Sequence, residues 1–291
     1  MMKAGTSPLT LLAVCALLLP HALAAEEAPS AIDQRIAMEW ETYDNPIAIT
    51  PHRPTYILPI SYIDNPNSTA YAQAGEQLEV AHNEFKIQFS FKVPLLEKAI
   101  FGRGLLSFGY TQLSLWQAYN GNHSSPFREN NYEPEMLLTF PSEYRFGKFH
   151  GRLITLALNH QSNGRPEPLS RNWNRVMVDF VLERDGSYLS FKPWWRLPEG
   201  GAQDDNPDIE KYLGNFELRG LRKFSDHSLG LMVRNNLHSD NRGAVQLDYT
   251  YRLNKRLRGY VQLFNGHGES LVDYNHYNRS IGLGVMLANW L

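Results

Sequence analysis

Cysteine is nearly absent. The 291 residues contain one, Cys15, and it falls in a stretch expected to be removed. Lys3 precedes an apolar run from Leu9 to Leu19, followed by Pro20 and the small-residue triplet Ala22-Leu23-Ala24. That is the build of a secretory signal peptide over residues 1–24, cleaved after Ala24. The exported product keeps 291 − 24 = 267 residues and no thiol. Disulfides, a cysteine nucleophile and a cysteine-based metal site are thereby excluded. An excess of charge is lacking as well: the net −2 becomes −3 once Lys3 is lost. That removes the electrostatic case for a nucleic-acid partner. Beyond the leader, no run approaches the roughly 18 consecutive apolar residues of a membrane helix, and no amphipathic helix of useful length stands out. Aromatics, by contrast, are plentiful, with 15 tyrosines, 14 phenylalanines and 6 tryptophans. An exported, cysteine-free, aromatic-rich chain of this length fits a soluble periplasmic protein or an outer-membrane barrel, and periodicity decides between them.

Period-two alternation recurs along the chain. Phe85, Ile87, Phe89, Phe91 and Val93 interleave with Lys86, Gln88, Ser90 and Lys92; Val245, Leu247, Tyr249, Tyr251 and Leu253 interleave with Gln246, Asp248, Thr250 and Arg252. Strands are expected near 54–63, 79–93, 105–118, 132–141, 149–162, 173–184, 187–197, 210–221, 227–236, 243–253, 256–266 and 278–290, separated by turns such as Asp185-Gly186. The faces opposite the apolar sets are often charged, and aromatics gather near strand ends. Lipid outside and a polar lumen inside explain both. The expected architecture is all-β, a twelve-stranded antiparallel transmembrane barrel over residues 51–291. Residues 25–50, with Glu26, Glu27, Pro29 and Pro46 and no clean alternation, read as a partly disordered periplasmic segment. Trp194, Trp195, Tyr251 and Tyr260 are assigned to aromatic girdles.

One strand face carries chemistry. From Ile154 the outward parity reads Ile154, Leu156, Leu158, then His160 and Ser162; the next strand reads Asn174, Val176, Val178, Phe180 and Leu182. Side chains two apart share a face, so three polar groups lie on a greasy one. A serine hydroxyl is a poor nucleophile until a base takes its proton, and neutral imidazole is the usual base. Two apart on one face, His160 and Ser162 have Cβ atoms roughly 6–7 Å apart, within reach at their tips. The base needs a third group to hold its tautomer, and Asn174 can supply its side-chain oxygen across a hairpin running through Gly164, Pro166 and Pro168. A His-x-Ser pair is commonplace and usually idle. Its place on a lipid-facing surface, where unpaired polar groups are costly, is what distinguishes this one.

The motif Asn159-His160-Gln161-Ser162-Asn163-Gly164-Arg165 resembles that of the bacterial outer-membrane phospholipase A family, and the likeness extends further. It includes Ser124-Ser125-Pro126-Phe127-Arg128-Glu129-Asn130-Asn131-Tyr132-Glu133-Pro134, Ser170-Arg171-Asn172-Trp173-Asn174-Arg175, Asp204-Asp205-Asn206-Pro207-Asp208-Ile209 and Gly268-Glu269-Ser270-Leu271-Val272-Asp273-Tyr274-Asn275. The similarity is loose from about Tyr56 and dense from about residue 80 to the C-terminus. It implies a calcium-dependent outer-membrane enzyme that hydrolyses phospholipid acyl esters as phospholipase A1, A2 and lysophospholipase, and is active as a homodimer. It further implies that Ser162 is the nucleophile, His160 the general base and Asn174 its orienting partner. The calcium ligands it implies are Ser124, Ser170 and the backbone carbonyl of Arg165, with Ser124 and Ser170 coming from different subunits. Asp205 matches a calcium site of the monomeric form, where Glu167 stands in place of an expected aspartate. Read from the residues alone, these four are ordinary loop positions, though hydroxyls, carbonyls and carboxylates are the oxygen donors calcium takes.

Gln112 interrupts the face formed by Leu106, Phe108, Tyr110, Ser114 and Trp116. It either meets water among headgroups or meets its symmetry mate across a two-fold interface; the resemblance implies the interface. His150, His227 and His267 lack partners at metal-ligand spacing. The competing readings are a porin-like channel without enzymatic activity, which would carry its special residues in the lumen, and an outer-membrane protease, for which no acidic pair stands out.

Overall fold

Alternating side chains make strands, and here the strands close on themselves. The computed structural model describes residues 29–43, 45, 48–200 and 204–291; the expected signal peptide lies outside them. Twelve antiparallel strands run in chain order: β1 (Thr55–Ile63), β2 (Asn83–Ile100), β3 (Arg103–Trp116), β4 (Phe127–Phe146), β5 (Phe149–Ser162) and β6 (Asn172–Arg184). They continue as β7 (Ser187–Leu197), β8 (Phe216–Phe224), β9 (His227–Asn235), β10 (Gly243–Arg252), β11 (Arg258–His267) and β12 (Tyr277–Ala288). Each pairs with its sequence neighbours, and β12 pairs with β1, closing the barrel. A two-residue extension, Thr50–Pro51, adds to β2.

One end carries tight turns such as those after Phe146 and Arg184, and the other carries long loops. Short turns are periplasmic and long loops external in such barrels. The outer wall exposes Phe89, Leu156, Leu158, Phe191, Leu263 and Leu283, whereas inward parity buries Glu84, Lys86, Lys92, Glu133, Glu135 and Arg175. Buried charges persist only when paired, and these are. Arg53 bonds Glu133 and Glu135 at 2.9 Å, Arg175 bonds Glu133 at 3.0 Å, Lys86 bonds Glu269 at 2.8 Å, and Arg128 bonds Glu84 at 2.6 Å. Side chains thus bridge the lumen rather than line an open water path, which disfavours the channel reading.

The structure departs from the sequence reading in several places: β2 and β4 run longer than expected, Ser68–Gln73 form a short helix, and three further differences lie in the N-terminal segment, the start of β8 and the aromatics. Residues Ala31–Glu41, placed within an irregular segment, form helix α1. Ser30 and Asp33 cap it reciprocally, Ser30 Oγ accepting from the Asp33 amide and Asp33 from the Ser30 amide. Ile32 packs against Leu153, Val181, Tyr188 and Leu221 inside the periplasmic mouth, and Glu39 pairs with Lys92 at 2.7 Å. Ile32, Ile36 and Trp40 recur at four-residue spacing, but Arg35 and Glu39 lie among them and pair in the lumen, which blurs the apolar stripe. Next, β8 begins at Phe216, later than expected, because Glu210–Leu213 form a helical turn ended by Gly214 at φ 69°. Finally, only half of the aromatics assigned to girdles face outward. Trp195 and Tyr251 are 59% and 44% exposed on the outer wall, but Trp194 and Tyr260 are each 3% exposed and point inward. Trp194 meets Trp173 edge-on and Tyr260 bonds Asp248, so adjacent aromatics on one strand serve opposite faces.

Candidate active site

The external ends of β4, β5 and β6 hold the motif. Register sets His160 of β5 directly opposite Asn174 of β6, and Ser162 opposite Asn172 on one side and Tyr132 of β4 on the other. All five lie on the outer wall and are half-buried. The His160 Nδ1 and Asn174 Oδ1 atoms are 2.8 Å apart, a hydrogen bond within the directly opposed pair. Ser162 shares that face one register step away. No side-chain hydrogen bond joins it to His160 among the described residues, and such bonds are often loose before substrate binds. On its far side, the Asn174 amide donates from Nδ2 to Glu199 Oε1 at 2.9 Å.

The loop after Ser162 is shaped by Asn163, which is buried and turns inward. Its Nδ2 donates to the Leu169 carbonyl at 2.8 Å, and its Oδ1 accepts from the Arg171 and Arg165 amides at 2.9 and 3.3 Å. Gly164 follows at φ 63°, a left-handed conformation; a Cβ there would come within 3.3 Å of the Tyr132 ring. One side chain therefore ties both ends of the loop immediately after the hydroxyl.

The expected calcium residues are only partly brought together. Ser170 donates to Asp205 Oδ2, and so does Asn172 Nδ2 at 2.6 Å. Burial disfavours the Asp205 charge, but hydrogen bonds from Ser170, Glu167 and Asn172 outweigh it and hold the carboxyl below the usual range. Hydrogen bonding to Asp205, with desolvation and the Asp205 charge adding to it, pushes the exposed Glu167 carboxyl up. Glu167, the residue standing in place of an expected aspartate, is thus electrostatically linked to Asp205. Arg165 turns its guanidinium to Glu76 and over the Tyr71 ring. Ser124 sits in the separate 117–126 loop with φ 58°, and no hydrogen bond links it to Arg165 or Ser170. Within one chain, Ser170, Asp205 and Glu167 form an all-oxygen group of the kind a hard cation takes, while Ser124 stands apart. Among the described residues, no cluster of three or more His, Cys, Asp or Glu side chains forms a metal site.

Gln112 lies on the outer wall of β3, in the row Gln112–Tyr132–Ser162–Asn172 that runs across four strands. Its amide is not unsatisfied, as an isolated amide facing lipid would be. It accepts from Tyr110 Oη and donates to Ser114 Oγ, both at 3.0 Å.

A family model described as Phospholipase A1 matches residues 32–287. The chain belongs to the phospholipase A1 family. It is 35% identical over 278 residues to the phospholipase A1 of Escherichia coli K12, covering 93% of this chain and 94% of that protein. The Klebsiella pneumoniae phospholipase A1 is 34% identical over 282 residues, covering 95% and 96%. The solved outer-membrane phospholipase A from Escherichia coli superposes with a TM-score of 0.80 at 34% identity, covering 88% of this chain and 98% of that one. An asparagine-to-alanine active-site variant of that enzyme matches equally well. The Salmonella typhi outer-membrane phospholipase, a dimer with bound calcium, gives 0.78 at 33% identity, covering 85% and 94%. The chain is therefore a phospholipase built on a closed twelve-stranded barrel of the outer-membrane kind.

Two residues of the site escaped sequence reasoning. Asn163 had a usable signal, since an asparagine beside a glycine marks a turn whose side chain can bond the following backbone. Glu199 had none: it lies in the irregular segment after β7, and only the fold carries it to Asn174.

Proposed function

We propose that the phospholipase cuts acyl esters at a Ser162–His160–Asn174 site on the barrel's outer wall. The carrying observation is the 2.8 Å His160–Asn174 hydrogen bond one register step from Ser162, on a face otherwise given to lipid. Ser162 Oγ attacks the ester carbonyl carbon while His160 accepts the hydroxyl proton on the nitrogen turned away from Asn174. Collapse of the tetrahedral adduct breaks the carbon–oxygen bond, and His160 returns the proton to the departing lysophospholipid alcohol. Water then repeats the sequence on the acyl-serine, releasing fatty acid and restoring Ser162. Asn174 holds the imidazole in line through both halves. An asparagine lends weaker support to the imidazolium than an aspartate would.

Calcium fits the donors present. For the dimer, Ser170 and the Arg165 carbonyl would supply oxygen from one chain and Ser124 from a second copy, while Asp205, which accepts from Ser170, belongs with the site expected of the monomeric form. When bound, the ion supplies positive potential that polarises the ester carbonyl and offsets part of what the asparagine lacks. A homodimer is the active form in this reading. Gln112 stands two strands from Ser162, roughly 10 Å away at the strand spacing, so a partner wall docking on it would complete the acyl cleft beside the nucleophile. The calcium-bound dimer of the Salmonella typhi relative supports this arrangement. Export through the expected signal peptide would deliver the protein to the outer membrane.

The test is phospholipid hydrolysis by refolded protein in micelles, with calcium or with chelator, for wild type and Ser162→Ala. Wild type releases fatty acid only with calcium, and folded Ser162→Ala stays at background. Hydrolysis by Ser162→Ala would sink the assignment.

A further inference from the structure

Asparagine is an ambiguous partner for a catalytic histidine. An aspartate offers an oxygen whichever way it turns, whereas an amide offers an acceptor at one end and a donor at the other. Turned one way, Asn174 presents Oδ1 to His160 Nδ1, so Nδ1 carries the proton and Nε2 is free to act as base. Turned the other way, it presents N–H, the proton moves to Nε2, and the imidazole can no longer take a proton from Ser162. Something must choose between the two orientations.

The chooser is on the far side of the amide. Glu199 is half-buried in the segment after β7, with Oε1 2.9 Å from Asn174 Nδ2. Carboxylate oxygens accept, so they favour the amide's N–H and send Oδ1 toward His160, where the 2.8 Å contact lies. The neighbouring cation does not compete for this carboxylate: Arg196 is committed to Asp204 at 2.6 Å and to the Asn206 carbonyl at 3.2 Å. We infer that Glu199 is a positioning residue for ester hydrolysis, fixing the orientation of the Asn174 amide and, through it, the His160 tautomer. This rests on the catalytic roles proposed above. The carboxylate also sets negative charge behind the amide, on the side that favours imidazolium during attack. An asparagine backed by a carboxylate recovers part of what a direct aspartate would provide, without placing that charge against the ring.

Glu199→Gln, Glu199→Leu and Glu199→Lys, made in the full-length protein, are refolded in micelles and assayed with calcium. Gel mobility before heating verifies the folded barrel. Glutamine keeps an accepting oxygen, leucine leaves the amide free to turn, and lysine, a donor only, draws Oδ1 away from the histidine. The expected order of kcat is wild type, Gln, Leu, Lys, with Gln within about threefold of wild type and Lys down about tenfold or more. KM stays within about twofold, because no variant touches the acyl chain; a merely structural role would not follow hydrogen-bond polarity. Should Glu199→Lys fail to fold, the Gln-to-Leu comparison carries the same test. Lys equal to or better than Leu, or Gln no better than Leu, overturns the inference. Ser162→Ala run alongside separates the two claims: if it still hydrolyses lipid, the proposed site is wrong. If it is silent while Glu199→Lys is unimpaired, only the positioning role of Glu199 falls.

Discussion

Replacing Arg128 by methionine tests how far the barrel depends on charge balance inside its lumen. Arg128 lies near the start of β4 with its side chain 2% exposed. Its guanidinium grips Glu84 at 2.6 and 3.2 Å and Asp273 at 2.9 Å. Methionine fills similar volume but leaves two buried carboxylates without their cation. Breaking a buried pair by removing one partner costs about 3–5 kcal/mol. Glu84 keeps a bond from Gln117 at 3.1 Å, and Asp273 keeps bonds from Ser270 at 2.7 Å and Asn67 at 3.0 Å. Those remaining donors place the expected loss near the lower end, about 3 kcal/mol. Glu84→Gln alone removes a charge but leaves Arg128 with Asp273, a loss of about 2 kcal/mol. In the double variant the second substitution removes a charge the first had stranded, so the losses fall short of additivity by at least about 1.5 kcal/mol. Equilibrium urea unfolding in detergent micelles, followed by tryptophan fluorescence, measures all four proteins. Losses that add to within about 0.5 kcal/mol would refute the view that these charges act as one unit.

Asn174→Ala removes a hydrogen bond to the ring that becomes imidazolium, an interaction of about 1.5–3 kcal/mol. Its kcat should therefore fall about 10- to 100-fold with KM little changed; full activity with unaltered calcium dependence would rule out the orienting role. Gln112→Ala should weaken dimerisation in detergent about fivefold, the scale of one interhelical-type polar contact in a membrane, and sedimentation identical to wild type would argue against an interface there. Asp205→Ala should raise the calcium concentration needed for half-maximal hydrolysis several-fold, and an unchanged calcium titration removes Asp205 from the metal's surroundings. Because Arg53, Glu133, Glu135 and Arg175 bridge the lumen, refolded protein should leave planar bilayers non-conducting; conductance without hydrolysis would restore the channel reading.

Much of the architecture is legible in the sequence because a barrel wall has two solvents. Lipid outside and charge pairs inside force a strict alternation, and Phe85 to Val93 displays it without help from distant residues. The shared face of His160 and Asn174 is legible for the same reason, since parity sets which wall each side chain joins, whereas their direct opposition depends on the register set by the connecting loop. Helix α1 is hidden because its inner face meets Lys92 and the charged lumen as well as Leu153 and Tyr188, so Arg35 and Glu39 interrupt the short stripe of Ile32, Ile36 and Trp40. Trp194 and Trp195 are misjudged as a pair for a related reason: composition says aromatic, while only strand direction says which of two neighbours faces lipid.

By itself the chain determined a lipid-facing strand wall and the parity that sets an imidazole, a hydroxyl and an amide on it, because period-two geometry is local. Tertiary structure alone decided which loop groups meet. Ser170 reaches Asp205 and Ser124 does not, and Glu199 arrives behind Asn174 from a segment without periodicity. Contacts between loops depend on how the barrel closes, and closure is a property of all twelve strands together.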